Sequence, residues 1–347
     1  MSSTKLIELL RSPDTVGTVS ASEWNDVVMV ARKNQLLGQL VARLVRAGLL
    51  EQVPPAVRRH LDLEALSSRR RGESALWEIA TMRRAVDAKH PLVLLKGCAY
   101  LVANDANAEG RPFSDIDVMV RREELPSVEN SLITVGWKPG RVSAYDSAYY
   151  RNWMHEVPPM AHVRRQTVLD LHHAINPPIS RYYIDPGRLF ARLVTISPGV
   201  FVLSPSDRTI HCALHLLQEG EPRKLLRDLY DLFMLVEQHH TGANGLTPLM
   251  ERAGTFSVTK PVTIAVNAAL AIFSKRSAEK SVKLSALTRA VSRAAVGAHD
   301  EPTLSNGMAA SWLLAHSHWM KMPMRILVPH LLRKSWLQLH GRKAVER

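Results

Sequence analysis

Residues 91–120 have the sequence PLVLLKGCAYLVANDANAEGRPFSDIDVMV. The apolar run Leu92–Leu95 stops at Lys-Gly, which is typical of a buried strand that ends in a turn. The last seven residues, SDIDVMV, begin by alternating polar and apolar side chains, which predicts a second strand. Because side chains two positions apart on a strand share one face, Asp115 and Asp117 are expected to point the same way.

Two ionised carboxylates held this close repel each other, which raises the pKa of one of them unless a cation lies between them. Mg²⁺ (or Mn²⁺) is the expected cation, since it binds through one or two carboxylates and substrate phosphates. A third carboxylate, Asp170, lies on a later predicted strand over residues 166–174 and shares its face with His172. Three carboxylates on adjacent strands can hold two metal ions about 3.5–4 Å apart for an in-line phosphoryl displacement.

The hydrophobic pattern divides the chain into three segments. Residues 1–90 and 205–347 carry apolar residues at helical spacing, whereas residues 91–204 alternate predicted strands and helices. This order predicts an α+β fold, in which a palm domain with a mixed sheet is flanked by N-terminal and C-terminal helical segments. Within these segments, we expect residues 23–50 to form one helix and the polar residues 104–110 to form an inserted loop.

The chain is basic: 45 Lys and Arg against 32 Asp and Glu give a net charge of +13. Such a charge favours anionic partners, among them nucleotides, nucleic acid and membrane surfaces. A last helix with several basic residues is predicted over residues 324–340. Its contact with an anionic surface, whether a membrane or RNA, is one interpretation, and packing of its neighbouring Trp and Met residues in a helical core is the other.

Other features argue against several classes of protein. Two cysteines, Cys98 and Cys212, give neither a disulfide framework nor a zinc-binding spacing. The N-terminus lacks the apolar stretch of a signal peptide, and no run of about 18 apolar residues predicts a membrane span. A cytoplasmic location is therefore expected.

Two pairs of polar residues lie on predicted C-terminal helices. His211 and His215 have the i, i+4 spacing of metal ligands, but no third ligand is evident, so helix packing is favoured over a zinc site. Asp228 and Asp231 are interpreted as helix-face carboxylates that pair with Arg223, Lys224 or Arg227, rather than as substrate contacts.

Taken together, LLKG, RPFSDIDVMV and VLDLHHAI resemble the uncharacterised bacterial nucleotidyltransferases of the DNA polymerase β-like superfamily. In this superfamily a strand–glycine turn, an Asp-x-Asp strand and a later Asp strand form the palm. The segment RDLYDL, residues 227–232, is similar to part of the helical domain that follows the palm in related nucleotidyltransferases. The resemblance covers residues 92–135, 167–174 and 225–235.

The resemblance implies an NTP-dependent nucleotidyltransferase. It would move NMP, with AMP favoured, from an NTP, with ATP favoured, to a hydroxyl-bearing acceptor (a small molecule, a peptide or RNA) and release pyrophosphate. Asp115, Asp117 and Asp170 would be the catalytic, metal-binding residues, and Asp170 would also help to deprotonate the acceptor. Nucleotide and phosphate would be bound by Lys96, Gly97, Cys98, Arg111 and Ser114, with His172 as an accessory residue.

One position departs from the superfamily pattern. Cys98 follows Gly97 where the superfamily has serine or a second glycine, so the hydroxyl that would contact a phosphate is missing. This departure favours an alternative function, in which a catalytically degenerate member of the same fold serves as a binding module for a peptide or nucleic acid.

Overall fold

The computed structural model describes residues 2–140, 149–150, 153–275, 284–298, 304–323 and 325–328. Within these residues a seven-stranded sheet has the strand order β3-β4-β5-β2-β1-β7-β6. The strands are β1 Leu92–Leu94, β2 Asp115–Met119, β3 Trp137–Pro139, β4 Met160–His162, β5 Val168–His172, β6 Val194–Ser197 and β7 Val200–Val202.

The sheet is mixed. Strand β2 pairs with β1 in antiparallel fashion and with β5 in parallel fashion, so it occupies the centre of the sheet. Strand β1 also pairs in parallel with β7, and the two edges are completed by antiparallel pairs. This architecture confirms the predicted α+β fold with a mixed palm sheet.

Among the residues that the structure describes, the helices whose two ends are both defined lie before, between and after the strands of the sheet in sequence. Four lie before it: α1 Ser2–Arg11, α2 Ala21–Lys33, α3 Leu37–Arg46 and α4 Pro55–Ala85. Three lie between its strands: α5 Lys96–Val102, α6 Leu125–Thr134 and α7 Pro186–Phe190. Six follow it: α8 Pro205–Glu219, α9 Pro222–His239, α10 Thr247–Thr255, α11 Thr259–Phe273, α12 Ala286–Gly297 and α13 Leu304–Lys321. Along the described part of the chain, no helix combines the length and the apolar character that a membrane crossing needs.

The prediction of a single helix over residues 23–50 is wrong, because two helices, α2 and α3, cover this segment. The chain leaves α2 at Asn34, and Gln35 adopts a left-handed backbone conformation with φ of 58° before α3 begins. The Asn34 side chain donates to the carbonyl of Val30 at 3.0 Å and so stabilises the end of α2. Apolar residues continue on both sides of this turn, which is why periodicity alone does not show it. The helix predicted over residues 324–340 lies outside the described residues except for 325–328.

Two apolar cores lie on opposite sides of the sheet. One core joins the sheet to α4 and α6. The other contains α1–α3 together with α8–α13, and it reaches the sheet through Val93 and Met119. The first three helices therefore pack with the C-terminal helices, although the palm separates them in sequence. The domain boundaries 1–90, 91–204 and 205–347 stay a prediction.

The polar loop between α5 and β2 is not a solvated insertion, because Asp105 and Asn107 in it are buried. Arg208 on α8 donates from Nε and Nη2 to the two carboxylate oxygens of Asp105, each at 2.8 Å. His239 on α9 also contacts Asp105, with its Nε2 at 2.8 Å from Oδ1. This buried group holds the palm against the C-terminal helices.

We expect Arg208→Met to lower the free energy of unfolding by about 3–5 kcal/mol, because it leaves the buried carboxylate of Asp105 without its main cation. The measurement is urea unfolding followed by circular dichroism. Lys275→Met, which removes a mostly exposed ion pair with Asp14, is the matched control and should change stability little. Equal losses in the two variants would contradict a structural role for the buried pair.

Candidate active site

The parallel pairing of β2 with β5 brings two of the predicted carboxylates together. Asp117 and Asp170 are direct partners in the ladder, so both side chains project from the same face of the sheet. Ligand atoms of Asp117, Asp170 and His172 lie within 4.8 Å of one another. Asp115 lines the same cavity, but it does not belong to this tight group, and one of its oxygens, Oδ1, accepts from the Ser114 hydroxyl at 2.9 Å.

Asp117 is the most strongly bound carboxylate of the group. Lys96 Nζ lies 2.7 Å and His172 Nε2 lies 3.0 Å from the same oxygen, Oδ1. Only 3% of Asp117 is exposed, and burial alone would raise its pKa. Lys96 and His172 outweigh this effect and hold the pKa of Asp117 well below its usual range, while Asp117 in turn raises the pKa of Lys96.

The environment of Asp170 raises its pKa, whereas that of Asp117 lowers it. Burial, followed by the neighbouring negative charges of Asp117 and Glu156, raises its pKa to about 7. Its Oδ1 atom is buried and has no hydrogen-bond partner among the residues that the structure describes. An unpartnered acceptor beside a second carboxylate fits a divalent cation, since both oxygens are hard ligands that a metal would neutralise.

The turn after β1 is shaped by close packing. Lys96 has a positive φ of 47°, which an ordinary side chain seldom adopts, and this conformation accompanies its contact with Asp117. A Cβ on Gly97 would lie 2.5 Å from Arg111 Nη1 and 3.2 Å from the Phe113 ring, so a larger residue would push this segment away. Cys98 is buried in the core against the sheet, and burial raises the pKa of its thiol to about 12. Any contact of Cys98 with a phosphate would therefore come from its backbone.

Arg111 lines the cavity, but its guanidinium is bound within the protein. Its Nε donates to Asp231 Oδ2 on α9 at 2.7 Å, and Gln39 on α3 donates to the other oxygen of Asp231 at 2.9 Å. The expected pairing of Asp228 with Arg227 is confirmed, at 2.7 Å. The expected pairing of Asp231 with a basic residue of its own helix is wrong, because Asp231 points inward to the palm.

The carboxylates open into a polar cavity of about 500 Å³ between the palm and the C-terminal helices. Lys96 lies on its palm side, and Lys224, Arg227 and Lys321 line its helical side. His211 and His215 also line it, and burial lowers the pKa of His211 to about 3, which makes it a neutral side chain. Neither histidine belongs to a group of three possible metal ligands within the described residues.

Two residues of this site, His155 and Glu156, were not predicted from the sequence. They form a second group with His172, whose Nδ1 lies 3.5 Å from Glu156 Oε2. A backbone bridge between Glu156 and His172 brings the two segments together. A single His-Glu dipeptide carries no ligand spacing, so only the strand pairing reveals the group.

A family comparison agrees with this geometry. Residues 20–274 match the profile of a protein family described as "Uncharacterised nucleotidyltransferase". The chain belongs to this family. The match confirms the resemblance inferred from the sequence and extends it from α2 to α11. No curated protein and no solved structure matches the chain.

The high pKa of Asp170 has a consequence for stability. Its value of about 7 in the folded protein lies above the ordinary 3.8, so the folded state binds this proton more tightly than the unfolded chain does. The contribution to stability is therefore present at low pH and is lost as pH rises through about 7. In metal-free buffer, Asp170→Asn should gain stability relative to the wild type as pH rises from about 5 to about 8.

Urea unfolding at the two pH values, with a chelator present, measures this difference. Addition of Mg²⁺ at the higher pH should stabilise the wild type more than Asp170→Asn, because a ligand that binds only the folded state shifts the equilibrium towards it. A stability difference that stays constant with pH would contradict the environment described for Asp170.

Proposed function

We propose that this protein transfers NMP, with AMP favoured, from an NTP to a hydroxyl-bearing acceptor and releases pyrophosphate, in a reaction that depends on Mg²⁺ or Mn²⁺. The observation that carries this proposal is the register of β2 and β5, which sets Asp117 beside Asp170 at the wall of a polar cavity. Membership of a nucleotidyltransferase family supports the same reaction.

The cavity has the charges that a triphosphate needs. Asp115, Asp117 and Asp170 would hold the divalent cation, and Lys96, with the backbone of Gly97 and Cys98, would lie near the phosphates. The bound cation supplies neutralisation of the phosphate oxygens and of the leaving pyrophosphate. Lys224 and Arg227 line the opposite wall, where they add positive charge that attracts the nucleotide. Arg111 would act indirectly, because its pair with Asp231 joins the two walls of the cavity.

Asp170 is the best-placed base. One of its oxygens, Oδ1, lacks a partner among the described residues and can accept the proton of the acceptor hydroxyl. The hydroxyl oxygen then attacks the α-phosphorus, the bond from this phosphorus to its bridging oxygen breaks, and pyrophosphate leaves. His172 would keep Asp117 in place through the hydrogen bond from its Nε2.

A second opening provides a separate route for the acceptor. A groove of about 1020 Å³ borders α4 and shares Ser114 and Asp115 with the polar cavity. Its wall contains Trp77, which is 53% exposed, and the guanidinium of Arg165 lies 5.2 Å from the centre of the Trp77 ring. An acceptor in this groove would reach Asp115, which lines both openings, without crossing the nucleotide. A small molecule, a peptide and RNA all remain candidates, since a stacked aromatic and arginine can serve each of them.

One observation favours the alternative of a degenerate binding module. The Lys96 ammonium already neutralises Asp117, at 2.7 Å, and so takes part of the role that a metal has in the superfamily. A protein of this kind would bind its ligand without a divalent cation and would release no pyrophosphate.

We expect Asp117→Asn and Asp170→Asn each to reduce nucleotide transfer by about a hundredfold to a thousandfold, because each removes a charge that holds the metal or accepts the proton. The assay incubates the protein with labelled NTPs, Mg²⁺ and a cell lysate, and it measures both labelled product and pyrophosphate. Asp62→Asn changes an exposed carboxylate of α4 and is the control.

Circular dichroism and urea unfolding establish that each variant is folded. Full transfer activity in a folded Asp117→Asn or Asp170→Asn protein would refute the proposed mechanism. Absence of pyrophosphate release from the wild type with every NTP and lysate would support the binding module instead.

A further inference from the structure

His155, Glu156 and His172 form a cluster whose ligand atoms lie within 4.8 Å of one another. Glu156 Oε2 lies 3.5 Å from His172 Nδ1 and 3.9 Å from His155 Nε2. The group lies beside the three aspartates but has a different chemical character, with two imidazole nitrogens and one carboxylate oxygen.

The hydrogen bond at Nε2 of the His172 ring determines whether the other ring nitrogen, Nδ1, is a donor or an acceptor. Nε2 donates to Asp117 Oδ1 at 3.0 Å, so a neutral His172 carries its lone pair on Nδ1. Nδ1 is buried, has no hydrogen-bond partner among the described residues and faces the Glu156 carboxylate, which is also an acceptor. His172 is only 1% exposed, so bulk water does not reach its Nδ1 atom. A cation between this atom and the Glu156 carboxylate would satisfy both acceptors.

The distances suit a tetrahedral cation. Zn²⁺ binds His nitrogen and carboxylate oxygen at about 2.0–2.2 Å, which places neighbouring ligand atoms roughly 3.3 Å apart. The separations of 3.5 and 3.9 Å need only small side-chain movements to reach this value. Two imidazoles and a carboxylate favour Zn²⁺, whereas ligands that are all oxygen favour Mg²⁺.

The surroundings hold these ligands in place. A carboxylate that accepts from the second nitrogen of a metal-bound histidine is a frequent feature of zinc sites, and Asp117 has this position relative to His172. The backbone is also fixed, since Glu156 bridges to His172 and the His155 carbonyl accepts from the His173 amide at 2.8 Å. All three ligands are therefore anchored to β5 or to the strand-like segment beside it.

We propose that His155, Glu156 and His172 bind a divalent transition-metal cation of the Zn²⁺ type, at a site distinct from the Asp115, Asp117 and Asp170 cluster. Three protein ligands leave a coordination position for water or another ligand. Binding at His172 Nδ1 fixes the tautomer that donates to Asp117, so the cation stabilises the position of Asp117. The site does not require that the protein transfers nucleotides.

Chelator-treated full-length protein, free of nucleotide and Mg²⁺, is titrated with Zn²⁺ against a competing dye, and with Co²⁺ followed by visible absorption. We expect one tight Zn²⁺ per chain and a tetrahedral Co²⁺ spectrum. Changes in the second shell of a zinc site weaken binding about 10–100-fold, so Asp117→Asn should do the same. Loss of a ligand in His155→Ala or Glu156→Gln should weaken binding by at least as much.

Two control variants locate the cation. His90→Ala removes another buried histidine that lies beside a glutamate, with Nδ1 3.3 Å from Glu124 Oε1, but the pair has no third ligand among the described residues. This variant should bind Zn²⁺ as the wild type does. Asp170→Asn, in the neighbouring cluster, removes none of the three proposed ligands and should weaken Zn²⁺ binding less than His155→Ala or Glu156→Gln does.

Two results would overturn the proposal. The first is a wild-type protein without a stoichiometric Zn²⁺ site. The second is a loss of binding in Asp170→Asn together with wild-type affinity in folded His155→Ala, which would place the cation among the aspartates.

Discussion

The parallel pairing of β2 with β5 is the constraint on which the site depends. It puts Asp117 and Asp170 side by side on one face of the sheet, where two negative charges repel in a partly buried environment. The two carboxylates lie in different environments. Lys96 and His172 keep Asp117 ionised, whereas Asp170 has a raised pKa and an oxygen without a hydrogen-bond partner among the described residues. One carboxylate is thus held in place, and its neighbour is available to a metal or a proton.

The cavity in front of these carboxylates exists because buried charges hold the palm to the helices. Asp105 binds Arg208 and His239, and Arg111 binds Asp231, so the segment before β2 contacts both α8 and α9. Because these pairs are buried, removing one partner would leave an uncompensated buried charge, which is costly. The helical part therefore does more than cover the sheet: it supplies the wall that carries Lys224 and Arg227.

Local features of the sequence predicted much of the palm. The apolar run of β1, the alternation in β2 and the strand that carries Asp170 all depend on neighbouring residues, and the structure has each of them. Features set by distant residues were not predicted. The polar loop containing Asp105 resembles a solvated insertion until Arg208, about a hundred residues later, is seen to bind it. Likewise, periodicity concealed the turn at Gln35, and nothing near His155 and Glu156 indicated that they meet His172.

The central claim is that Asp117 and Asp170 together hold a divalent cation that binds the nucleotide. The most direct measurement is a crystal structure with Mn²⁺ and a non-hydrolysable nucleoside triphosphate, in which anomalous scattering locates the metal. We expect manganese bonded to oxygens of both Asp117 and Asp170 and to the triphosphate in the polar cavity. A bound nucleotide with no manganese at these two carboxylates, and with Lys96 as the only cation on Asp117, would contradict the account.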